Sequence, residues 1–108
     1  IMFTIDKKNK IYLTAGDNAE LEICVFDITG AEIKITSDDK IVLTVRQTPN
    51  EPAIFSKEAD GRTIYFMPSD TKDMIPGLYV YDVQFTNSDH EINTIITSFF
   101  EIGAEITK

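Results

Sequence analysis

Hydrophobic and polar positions alternate along most of this chain. Between Ala19 and Asp27, Leu21, Ile23 and Val25 share one parity, while Glu20, Glu22, Cys24 and Phe26 take the other. Successive side chains of an extended strand point to opposite faces, so this pattern predicts a strand with one dry side. The same pattern recurs over Lys10 to Thr14, Ile41 to Gln47, Thr63 to Met67, Leu78 to Thr86 and Ile92 to Ile102. Shorter extended pieces are expected at Phe3 to Ile5, Glu32 to Ile35 and Ala53 to Lys57. Val, Ile, Thr, Tyr and Phe fill these runs, the residue types that pack well on a pleated surface.

Turn formers separate the runs. They are Ala15 to Asn18, Thr29-Gly30, Ser37 to Asp39, Pro49 to Pro52, Asp60-Gly61 and Asn87 to His90. Each contains Gly, Pro or a short polar side chain able to bond its own backbone. Many short strands at about 8–12-residue spacing predict an all-β fold, an immunoglobulin-like antiparallel β-sandwich of roughly seven to nine strands. One helical turn is expected at Ser69 to Met74, with Ser69 as its cap and Pro76-Gly77 as its stop. The 108 residues fit a single domain, residues 1–108, with no internal linker.

Charge narrows the set of partners. With 18 acidic against 10 basic side chains, the chain carries a net −8. Such a surface repels phosphate backbones and anionic membranes, so neither nucleic acid nor a membrane is expected as a partner. The one basic run, Lys7-Lys8-Asn9-Lys10, reads as a solvated turn. No apolar run near residue 1 suggests a signal peptide, and no stretch approaches the roughly 18 residues of a membrane span.

Catalytic and metal chemistry find few residues to use. The chain has one Cys and one His, so the four soft or imidazole ligands of a structural zinc site are not present. His90 sits in a polar turn without the orienting carboxylate and packing that a triad needs. Cys24 has acidic and apolar neighbours in sequence and reads as a small packing residue. The five glycines are scattered singly, not clustered as a phosphate cradle requires. No cofactor, no metal, no small-molecule ligand and no enzymatic activity is expected.

Two further features carry more information. A Tyr just after a turn, at the head of a long strand, occupies the place of a tyrosine corner: its ring packs inward and its hydroxyl bonds upstream backbone. Tyr79, following Pro76-Gly77, is that residue, and Tyr81, Val83 and Phe85 continue its face. The second feature is apolarity on both faces of some strands. Val42 falls opposite Ile41, Leu43 and Val45, while Ile95 and Phe99 fall opposite Ile92, Ile96, Phe100 and Ile102. Either a one-residue bulge near Thr97-Ser98 switches parity, or a second chain covers these residues. Phe26, Val42, Ile95 and Phe99 are the candidate partner contacts.

The run Pro68-Ser69-Asp70-Thr71-Lys72-Asp73-Met74-Ile75-Pro76-Gly77-Leu78-Tyr79-Val80-Tyr81-Asp82-Val83-Gln84 and the stretch from Phe99 to Thr107 resemble small β-sandwich domains of phages and prophages of Gram-positive bacteria. Those include immunoglobulin-like tail and baseplate components, such as the N-terminal domain of baseplate upper proteins. The resemblance implies a non-catalytic virion or assembly component that works through protein contacts, including self-association. It implies a place in the virion, or in the bacterial cytoplasm during assembly. The alternative on the same scaffold is a carbohydrate-binding module using Tyr65 or loop carboxylates with calcium.

Overall fold

The computed structural model describes residues 3–5 and 9–104, with side chains from residue 9 onward. The described elements are β1 (Phe3–Ile5), β2 (Ile11–Thr14), β3 (Ala19–Glu22), β4 (Lys40–Arg46), β5 (Ala53–Glu58), β6 (Thr63–Phe66), α1 (Pro68–Thr71), β7 (Gly77–Thr86) and β8 (Ile92–Gly103). Strands make up about half of the described residues, with almost no helix. Six strands form a curled sheet in the order β1-β2-β8-β7-β4-β5, and β3 and β6 form a second, two-stranded sheet.

The expectation of purely antiparallel pairing is corrected. Strand β2 runs parallel to β8, Ile11 lying opposite Phe100 and Leu13 opposite Ile102. Every other ladder is antiparallel. Parallel neighbours need a long connection between them. Here nearly the whole chain separates the two strands, so that requirement is met.

Both sheets turn their apolar faces to one buried cluster. Ile11 and Leu13 of β2, Ile41, Leu43 and Val45 of β4, Tyr79, Tyr81, Val83 and Phe85 of β7, and Phe100 and Ile102 of β8 enter it from the large sheet. Leu21 of β3 and Ile64 and Phe66 of β6 enter it from the small one. Alternation decides membership, since within each of these strands the buried residues lie two apart. Rings join the layers directly: Phe66 lies 5.7 Å from Phe100 and 6.5 Å from Phe55, centroid to centroid.

Four local expectations are corrected. The run from Ala19 to Asp27 pairs as a strand only to Glu22, because its partner β6 starts at Thr63, straight after the turn at Gly61. Beyond it Ile23 and Val25 stay buried, with the Ile23 N–H bonded to the Arg62 carbonyl at 2.7 Å. Glu32 to Ile35 makes no strand; one bridge, Phe26 to Glu32, takes its place. The bulge lies earlier than Thr97-Ser98: Val83 pairs with Ile96 and Gln84 with Thr94, leaving Ile95 as the extra residue. Finally, Ser69 lies inside α1 and does not cap it. The Asp70 carboxylate accepts the Met67 N–H at 2.7 Å instead.

Candidate functional site

Side chains that alternate away from the core form the outer face of the large sheet. The β4–β7 and β7–β8 registers put Arg46 opposite Val80 and Val80 opposite Phe99, in one row across three strands. Leu78 stands two residues before Val80 on the same face, opposite Glu101. Leu78 is 50% exposed and Phe99 49%, while Val80 is half-buried between them. Beside this row lies an open concavity of about 460 Å³, bounded by Phe99, Val80, Pro49, Arg46, Asp82 and Thr97. Large exposed apolar side chains gathered round a concavity mark an interaction surface better than the same residues scattered singly.

The charges on this face are paired across strands. Arg46 meets Asp82 at 3.0 Å, Lys10 meets Glu101 at 2.8 Å and Lys40 approaches Glu58 at 4.0 Å. Each pair joins neighbouring strands or the segment leading into one, so the face holds its charges in compensated form. One further side chain shapes the surface. Tyr12 lies over Gly103 so closely that a Cβ there would stand 2.7 Å from its ring Cζ, so that strand position accepts only glycine without displacing the ring.

Of the four candidate contacts, the structure brings two to this face. Phe99 borders the concavity. Val42 lies on the same face, half-buried between Gln84 and Glu58, several residues along β7 from Val80. Ile95 does not: as the bulge residue it is half-buried and packs against the core cluster together with Ile96. A bulge switches parity, so two successive isoleucines both reach the interior. Phe26 is 59% exposed, but on the loop after β3. The members that parity reasoning did not single out are Leu78, Val80 and Pro49. Leu78 and Val80 carried a signal, since they alternate with the inward Tyr79 and Tyr81 and so make both faces of β7 apolar at its start.

Tyr79 faces the core at the start of β7, and Pro76 and Gly77 are exposed where the preceding turn enters it. The Tyr79 hydroxyl donates to the Ile75 carbonyl at 2.5 Å, and the ring is buried. Gly77 stands between them at φ 154°, a backbone angle that L side chains rarely adopt. Tyr81 makes a second such bond, donating to the Asn9 carbonyl at 2.5 Å and fixing the segment that leads into β2. Of the basic run, Lys7 and Lys8 lie outside the described residues, and Lys10 pairs with Glu101.

The remaining candidate chemistry is dispersed. Cys24 is exposed, not a packing residue, because it shares the outward parity of Glu20 and Glu22, opposite the buried Leu21, Ile23 and Val25; the Arg62 guanidinium lies 3.9 Å from its sulfur. Arg62 itself bridges Glu22 and Glu32. His90 is exposed in a turn at φ 65°. Among the described residues, no group of three or more His, Cys, Asp or Glu is placed to hold a metal ion, and no helix is long and apolar enough to cross a membrane. Comparison of the chain with protein-family models and with curated proteins finds no match.

Proposed function

We propose that this protein is a non-catalytic interaction module with an immunoglobulin-like sandwich fold, serving as a tail- or baseplate-type component of a phage or prophage. Its means of action is protein–protein contact through the outer face of the large sheet. The observation that carries the contact reading is the half-exposed Leu78 and Phe99 flanking Val80 beside an open concavity. The virion assignment rests on the resemblance of residues 68–84 and 99–107 to phage sandwich domains. An A-strand-like β2 parallel to the last strand, and a small sheet of β3 and β6, are compatible with that fold.

The test is mass spectrometry of particles purified from the strain that carries the gene. Recovery of this chain in a fixed ratio to the other particle proteins is the expected result. Its absence from purified particles overturns the virion assignment. The carbohydrate alternative would use Tyr65, exposed on the small sheet opposite Glu20, or loop carboxylates with calcium. A glycan array without signal, with and without calcium, retires it.

A further inference from the structure

We infer that the fold is built to carry tension between the two ends of the chain: β2 and β8 form a clamp loaded in shear, and β1 is a strip that lets go before it. The inference is independent of any partner at the outer face. It follows from strand direction and from the way β2 is braced.

Direction comes first. β2 runs parallel to β8, with Ile11 opposite Phe100 and Thr14 opposite Gly103. The chain therefore enters β2 at one end of this ladder and leaves β8 at the other. Tension between those two points runs along the strands and loads every bond of the ladder together. An antiparallel pair pulled at its two free ends instead opens one bond after another. Strand β1 is in that second position. It is the edge strand, antiparallel to β2, and Phe3 lies opposite Leu13, at the same end of the sheet as Gly103. Tension between residues 3 and 103 thus opens the β1–β2 ladder from its Phe3 end. Release of β1 moves the load to the entry of β2 and lengthens the chain by up to about 3.5 Å for each of residues 3–10. Only then is the clamp under load.

The bracing is the second observation. Strand β2 has four residues, and both of its ends are fastened beyond the strand pairing. Ahead of it, the Tyr81 hydroxyl donates to the Asn9 carbonyl at 2.5 Å, and Lys10 meets Glu101 at 2.8 Å. Behind it, the Ala15 N–H donates to the Gly103 carbonyl at 2.9 Å, and the Gly16 N–H to the Thr71 hydroxyl at 3.0 Å. Ile11 and Leu13 are fully buried, so a slip of β2 by one residue along β8 would turn both away from the core. Shear must break these fastenings together and draw two core side chains out with them.

The experiment is single-molecule pulling of the full chain. The exposed native thiol is first removed by Cys24→Ser. One handle follows Lys108, and the other sits on Lys8→Cys, ahead of β2, or on Asn18→Cys, at an exposed position behind it. The Lys8 handle shears the β2–β8 ladder, whereas the Asn18 handle opens it from the Thr14–Gly103 end. A rupture force several-fold higher with the Lys8 handle is expected. A handle ahead of Ile1 should add a short extension at low force before the main rupture. Tyr81→Phe keeps the ring and removes the hydroxyl. It should lower the rupture force with the Lys8 handle and leave it unchanged with the Asn18 handle, a split that a general loss of stability would not produce. Circular dichroism establishes that each variant is folded. Equal rupture forces in the two geometries overturn the clamp, as does a Tyr81→Phe effect that is the same in both. A single rupture with no early step overturns the part given to β1.

Discussion

Thr71 shows how one side chain can tie distant segments. It is fully buried, and its hydroxyl accepts the Gly16 N–H at 3.0 Å, linking the turn after β2 to α1. Thr71→Val keeps the shape and removes the acceptor, leaving that N–H unsatisfied. The expected cost is about 1–3 kcal/mol, read as a lower urea midpoint with an unchanged slope. Asp27 organises the loop that follows β3. Its carboxylate accepts the Thr29 hydroxyl at 2.5 Å and the Ala31 N–H at 3.1 Å. The Thr29 hydroxyl first, and then the Ala31 N–H, hold its pKa below the ordinary carboxylate value. Because the folded value is the lower one, the loop's extra stability is complete above the ordinary range and disappears as pH falls through the folded value. A carbon-13 NMR titration of the Asp27 carboxyl should show the low midpoint, and Thr29→Ala should raise it.

At the scale of elements, the edge of the large sheet is guarded by charge. Strand β5 is the last in its sheet, and Lys57 lies opposite the buried Leu43, on the inner side. Its ammonium reaches the Asp70 carboxylate in α1 at 3.0 Å. An inward charge on an edge strand hinders a further strand from adding to it. Lys57→Val should therefore hasten aggregation in a light-scattering time course, and an unchanged course would assign the protection to another feature. The strands themselves were legible because alternation is local: Thr63 to Met67 was expected and Thr63–Phe66 is found, with Ile41 to Gln47 realised as Lys40–Arg46. What could not be read was which strand lies beside which. Glu32 to Ile35 pairs only through the Phe26–Glu32 bridge and the Ile33 N–H to the Val25 carbonyl, beside a segment that has already left the small sheet. The candidate face divides the same way. Parity alone put Val42 and Phe99 outward, but Phe99 gains Val80 and Pro49 as neighbours through a cross-strand register and a turn remote in sequence.

For the whole molecule, the union of the two sheets runs through a few rings. Phe66 of β6 is fully buried and meets Phe55 and Phe100 of the large sheet, and Phe100 meets Tyr81 at 6.2 Å. Phe66→Ala should cost about 3–5 kcal/mol, a large share of the 5–15 kcal/mol typical of a domain. A thermal melt followed by circular dichroism should show a drop in Tm of many degrees, and a small drop would mean that aliphatic contacts dominate the union. The position of β8 has a temporal consequence. This strand, residues 92–103, is the last in the described chain, yet it lies inside its sheet between β2 and β7. While the protein is being synthesised, both of those neighbours present open backbone to the surrounding solution until β8 arrives to fill the gap. Pairing over so long a stretch of chain is slow. The nascent protein is thus most vulnerable to the wrong strand just before translation reaches the right one.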